Sequence, residues 1–150
     1  MKAKDYLLRV AMAERKLKVL QARLRHYEDL GLTITSDTSA VGGHQAGTSR
    51  VELAAIGMAD SDRALREQIA RYSRITTEAQ RLIDMIPQEN FRRILTYRYL
   101  CGWSFQSISD EMRYKAEKSV YRAHGWALGK LQEIIDKEEE TDGDEPDIHG

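Results

Sequence analysis

The sequence predicts an all-α protein, a long N-terminal antiparallel helical hairpin of coiled-coil type followed by a smaller C-terminal unit of three helices. Three observations predict it. Two long stretches carry apolar residues at alternating spacings of 3 and 4, and only 2 prolines interrupt the 150 residues. Pro87 separates those stretches from a shorter, more densely apolar region. Within that region a short helical pattern, a tight turn and a longer helical pattern follow one another.

In the first stretch Tyr6, Val10, Ala13, Leu17, Leu20, Leu24 and Tyr27 step by 4, 3, 4, 3, 4 and 3, which is a heptad seam. The spacing predicts a helix over about 3–30, stopped by Gly31. Residues 31–49 read as a loop, because 32–48 are rich in turn formers and carry no period. Gly42, Gly43 and Gly47 make no phosphate-binding fingerprint there, since no strand precedes them and no Lys-Ser or Lys-Thr follows. Ser49 and Glu52 then have capping-box spacing. Behind them Asp62, Leu65, Ile69, Tyr72, Thr76, Ala79, Ile83 and Ile86 again step by 3 and 4, predicting a second helix over about 50–85. A helix of that length spans roughly 50 Å and needs another helix along it. The first helix supplies one, with Asp62 and Thr76 as polar seam positions that fix register at a cost in stability. A two-helix hairpin leaves part of each seam uncovered, so region 1–86 is expected to self-associate, giving a homo-oligomer, in the simplest case a dimer.

Pro87 ends the second helix and is able to open the next. From 88 to 101, Phe91, Ile94, Leu95, Tyr97, Tyr99, Leu100 and Cys101 are apolar on most sides, as in a central helix of a small bundle, and Gly102 closes it. Ser104 caps a short helix carrying Phe105, Ile108 and Met112. Arg113-Tyr114-Lys115 interrupts the pattern, and a last helix over about 117–135 buries Val120, Ala127, Leu128, Leu131 and Ile135. Short helix, tight turn and longer helix over 87–137 is the helix-turn-helix layout.

The formal net charge of −1 hides an asymmetry. Residues 136–150 hold eight acids against Lys137 alone, leaving the rest of the chain at +6. Residues 138–150 therefore read as a disordered, solubilising acidic tail. Residues 91–135 hold eight Lys and Arg against four acids, a balance that suits nucleic acid.

Other chemistry is missing from the pattern. Cys101 is the only cysteine, and His26, His44, His124 and His149 lie far apart, so neither a metal site nor a cofactor is expected. No apolar run is long enough for a membrane span, and charges break up the first 18 residues, so no membrane contact is expected. No nucleophile with a base and no paired carboxylates can be assembled, which disfavours an enzyme.

Residues 85–135 resemble the C-terminal helix-turn-helix (domain 4) of bacterial sigma factors, through Ile86-Pro87, Tyr97-Arg98-Tyr99-Leu100 before Gly102, Ser104 capping Ile108, and the helix from Val120 to Leu131. Ser119-Val120-Tyr121-Arg122, then His124-Gly125 and Ala127-Leu128, is similar to small phage proteins of the ArpU and RinA type. The resemblance implies a regulator of phage or prophage transcription in the cytoplasm of a bacterial host cell, binding double-stranded DNA and contacting RNA polymerase. Two alternatives stand beside it: a small terminase subunit for DNA packaging, and a sigma-like adaptor that contacts RNA polymerase without DNA. The turn carries Arg113 where a glycine is common, and Ile108 to Val120 is one residue longer than usual, which predicts a widened or shifted turn.

Lys118, Arg122, Gly125 and Gly129 fall at spacings of 4, 3 and 4, on one face of the last helix. Lys115, Lys118 and Arg122 are expected to approach phosphates, with Arg113 beside them in the turn, while Ser119 and Tyr121 reach groove edges. Arg98 is expected to be structural, bridging to Asp110 or Glu111. His124 reads as a packing or hydrogen-bonding histidine, and Trp103 and Trp126 as rim packing.

Overall fold

The two heptad seams become the buried faces of two long helices, α1 (Ala3–Ala40) and α2 (Arg50–Asp84). Val10, Ala13, Leu17 and Leu20 of α1 are buried, as are Leu65, Ala79 and Ile83 of α2. Leu24, Tyr27, Ile69 and Tyr72 are half-buried. The computed structural model describes the backbone of residues 1–40 and 50–143, and the side chains of 1–31, 52 and 59–143. Among these residues the chain is all helical, with no strand. Gly31 does not stop α1, which continues to Ala40, so 31–40 are helical rather than loop. A glycine ends a helix when it turns left-handed and the closing bonds form; inside one it costs only about 1 kcal/mol. Residues 41–49, with Gly42, Gly43, Gly47 and the expected cap Ser49, lie outside the described residues.

The chain divides into two compact units, Arg15–Arg74 and Met1–Glu14 with the chain from Ile75 onward. Both long helices contribute to each. In the first unit Leu17, Leu20 and Leu65 are buried. Arg66 donates from Nη2 to Glu28 Oε1 of α1 at 3.1 Å and from Nε to Asp62 Oδ2 at 2.9 Å, and Lys16 Nζ lies 5.5 Å from the centre of the Tyr72 ring. These contacts are solvent-exposed and contribute little beside apolar burial. They do tie Asp62, a polar residue of the seam, to a cation that reaches the neighbouring helix.

The second unit has a core drawn from both ends of the chain. Ala3 and Leu7 of α1 pack with Leu82, Ile83 and Ile86 at the end of α2, with Leu95 and Tyr99, and with Ala127, Leu131 and Ile135 of the last helix. The boundary expected between 86 and 87 therefore runs through the middle of a core, and 87–137 is not a self-contained domain. Polar contacts fasten the same elements. Ala3 N donates to Gln132 Oε1 at 2.7 Å, Gln132 Nε2 donates to Met1 O at 2.9 Å, and the N-terminal ammonium pairs with Glu139 at 3.1 Å.

Pro87 ends α2 as the sequence requires. The last turn tightens, with Met85 N bonded to Leu82 O and Ile86 N to Ile83 O, and Arg92 Nη1 donates to the carbonyls of Ile86 (2.6 Å) and Pro87 (2.9 Å). Pro87 does not open the next helix: α3 (Glu89–Leu95) starts after Gln88 as its N-cap. α3 then widens into a π-helical turn, Thr96–Leu100, closed by Cys101 N to Thr96 O at 3.0 Å. Ile94, Leu95 and Tyr99 are buried, whereas Cys101, expected on the apolar side, is exposed. Gly102 leaves the helix at φ +74°, a conformation a glycine takes without strain.

α4 (Phe105–Glu111) and α5 (Glu117–Gly143) complete the fold. α5 is eight residues longer than the apolar pattern predicts, so 138–143 are helical rather than disordered. Two of the four acids there have partners: Glu138 receives Arg81, which is also held by Glu78, and Glu139 receives the N-terminus. The rest of the expected tail, 144–150, lies outside the described residues.

Candidate nucleic-acid interface

α4 is set by its cap and by one apolar edge. Ser104 Oγ accepts from Ser107 N at 3.1 Å, satisfying an otherwise unpaired amide of the first turn. Ile108, fully buried, joins Ile94, Val120 and Ala123 in a second core, with Phe105, Met112 and Tyr114 packed around it. Val120, Ala123 and Ala127 hold one face of α5 inward, which leaves the opposite face to solvent.

The connection between α4 and α5 answers the question raised by its length. Arg113 N bonds to Asp110 O at 3.3 Å and Tyr114 N to Ser109 O at 3.0 Å, the pair of bonds of a Schellman motif. Tyr114 also packs on the core that contains Ile108, the apolar contact that often accompanies such motifs. Arg113 occupies the left-handed position, at φ +60°. The longer spacing is absorbed here with Ile108 and Val120 both fully buried. An L-residue in this region costs about 1–2 kcal/mol, while added glycine freedom in the unfolded chain returns part of that. Arg113→Gly is therefore expected to stabilise the chain by about 0.5–1 kcal/mol, read as a higher urea midpoint. An unchanged or lower midpoint would show that the turn is not strained.

Arg113, Lys115, Lys118, Ser119 and Arg122 are all exposed at this end of α5. None of the four cations forms an ion pair among the described residues, whereas Arg81 and Lys130 of the same unit do. Tyr121 differs from its neighbours. It is half-exposed, but its hydroxyl donates to Glu117 Oε1 at 3.0 Å and its ring lies 4.6 Å from that of Phe105. The bond to Glu117, then burial, raises its pKa. Gly125 and Gly129 lie along the same helix, and a Cβ added at either would meet nothing within 4 Å, so packing within the chain does not require them. Trp126 is 59% exposed, not packed at a rim as expected, while Trp103 stacks on Tyr97 with ring centres 4.3 Å apart.

Arg98 is structural, but not through an acid. Its Nη1 donates to the Trp103 carbonyl at 3.0 Å and its guanidinium carbon sits 4.2 Å from the centre of the Phe105 ring. Asp110, its expected partner, instead receives Gln106 at 3.0 Å. The sequence held no signal for the π turn that re-aims Arg98.

His124 Nε2 lies 2.8 Å from the Tyr99 hydroxyl, and its ring meets Phe105 edge-on at 5.0 Å. Burial, then Arg98 and Lys4, lower its pKa below 6.5. Its neighbours among the described residues include Tyr99, Phe105, Arg98 and Lys4, and no carboxylate contributes to the shift. The unfolded chain takes up a proton near pH 6.5 that the folded imidazole refuses. This contribution to stability is present above that pH and is lost as pH falls through the depressed folded value. The melting temperature of the wild type is thus expected to drop more between pH 7 and 5 than that of His124→Phe; parallel profiles would contradict the linkage.

No group of three or more His, Cys, Asp or Glu side chains among the described residues is placed to hold a metal ion. No helix among them is long and apolar enough to cross a membrane. Comparison with protein-family models, with curated proteins and with solved structures gave no match to this chain.

Proposed function

We propose that the chain is a sequence-specific DNA-binding regulator of phage or prophage transcription, with α4 and α5 acting as a helix-turn-helix and α1 with α2, as a coiled hairpin, joining copies. The observation that carries this reading is the cluster of four exposed cations without ion pairs, Arg113, Lys115, Lys118 and Arg122, at the turn and head of a helix whose other face is locked into a core. Such cations anchor phosphates and fix the register of the helix, and exposed Ser119 is placed to read a base edge. Tyr121, engaged by Glu117 and Phe105, supports the helix and reaches a groove only by releasing Glu117. Contact with RNA polymerase completes the mechanism.

The test is fluorescence anisotropy of the full chain on duplexes from the DNA flanking its own gene and on an unrelated duplex, over a salt series. Tighter binding to its own flanking DNA is expected, with log affinity falling linearly against log salt. Absence of binding even at low salt would overturn the reading in favour of a protein-binding adaptor for RNA polymerase. A closed ring of many copies in solution would instead favour a small terminase subunit.

A further inference from the structure

We propose that a cleft between the start of α1, the π turn and the heads of α4 and α5 is a binding site for a small organic anion, a carboxylate or phosphate ester carried on one apolar ring. The cleft has a volume of about 260 Å³. Clefts that take drug-sized ligands run from roughly 300 to 1,000 Å³, so this one suits a single ring with its anionic group. Lys4 and Arg98 line it with nitrogen donors, His124 adds its imidazole, and Leu8, Phe105 and Tyr121 supply apolar wall.

The charge balance identifies the ligand class. No acid lines the cleft; Glu117, bonded to the lining residue Tyr121, accepts its hydroxyl. Neither Lys4 nor Arg98 has an ion pair among the described residues. Arg98 is fixed by a carbonyl and an aromatic face, groups that orient a guanidinium without neutralising it and leave its other N–H donors for an anion. Holding like charges together beside apolar walls is unfavourable, and an anion between them reverses the sign of that interaction. Burial, and after it the same two cations, hold the His124 pKa down, so an anion bound between the cations raises it. Neither Lys4, Arg98 nor His124 belongs to the exposed basic cluster of α5; Tyr121 is the one lining residue that the DNA reading also uses.

The experiment is an NMR titration of the full chain with phenyl phosphate and with benzoate, using benzyl alcohol and inorganic phosphate as comparisons. Saturable shifts centred on His124, Tyr121 and Phe105 are expected with at least one of the two aromatic anions, together with a rise in the His124 pKa. Benzyl alcohol should fail, and inorganic phosphate should bind more weakly. Lys4→Gln, a change at an exposed position, is expected to weaken binding about tenfold. Arg98→Lys, which keeps the charge but not the fixed fork, should weaken it as well, and Lys118→Ala should bind the probe like the wild type. Equal affinity in Lys4→Gln, shifts centred on Lys118 and Arg122, or binding of inorganic phosphate as tight as that of the aromatic anions would overturn the proposal. Displacement of the probe by duplex DNA would overturn it too, since the cleft would then belong to the footprint of the DNA.

Discussion

Replacing Leu7 by alanine is expected to cost about 2–5 kcal/mol and to unfold the C-terminal unit at lower denaturant than any change on its surface. Leu7 lies within six residues of the N-terminus of α1, yet it is completely buried against Leu82, Ile83, Ile86, Leu131 and their neighbours. Truncating it removes the transfer free energy of its methyl groups and leaves a cavity that the surrounding helices fill only in part. Urea denaturation followed by the fluorescence of Trp103 and Trp126 reads the effect in the unit concerned. Val19→Ala is the comparison: Val19 is 60% exposed and belongs to the other unit, so its change should stay within about 0.5 kcal/mol. The same reasoning sets the behaviour of fragments. Residues 87–137 alone lack Ala3, Leu7, Leu82, Ile83 and Ile86 and should give no cooperative transition, and deletion of residues 1–14 should abolish that of the C-terminal unit. A cooperative melt of 87–137 with the midpoint of the full chain would contradict this account of the core.

The second large effect concerns DNA. The double change Lys118→Ala with Arg122→Ala is expected to weaken binding at low salt and to lower the log-log salt slope by about 0.9 for each phosphate that is no longer neutralised. Both side chains are exposed and without ion pairs among the described residues, so the melting temperature should stay that of the wild type. Lys130→Ala separates site from bulk charge. Lys130 is on the same helix but is paired with Glu133 at 3.8 Å, further from the turn, and its removal should barely change the slope. If the double variant keeps wild-type affinity and slope, the head of α5 is not the DNA-binding surface and the proposed function fails with it.

What was legible in the sequence was what repeats locally. The spacings of 3 and 4 in Val10, Ala13, Leu17 and Leu20, and in Leu65, Ala79 and Ile83, marked buried faces because a helix of 3.6 residues per turn returns those positions to one side. The Ser104 cap, the exit at Gly102 and the end of α2 before Pro87 were equally local, each set by the conformations that a few adjacent residues permit. The exposure of Lys118, Ser119 and Arg122 followed from the apolar period of α5 on the other side of the helix.

Tertiary structure decided the rest. That Ala3 and Leu7 complete the core of the C-terminal unit was not written in their own neighbourhood, because their partners lie some eighty and more residues away. In the helical stretch 138–143, Arg81 and the N-terminal ammonium lie beside Glu138 and Glu139, a pairing of charges that composition alone reads as mutual repulsion. Arg98 turned to a carbonyl and a phenyl ring rather than to an acid because the π turn re-aimed it, and Arg113 took a left-handed conformation because closing the bonds to Asp110 and Ser109 outweighed its strain. The sequence by itself thus determined that the chain was helical and which face of each helix was apolar, as short-range sterics and periodicity fix both, though not how far α1 and α5 ran. The structure determined which faces met and which charges were neutralised, since burial and ion pairing are settled by groups that only folding brings within a few ångströms.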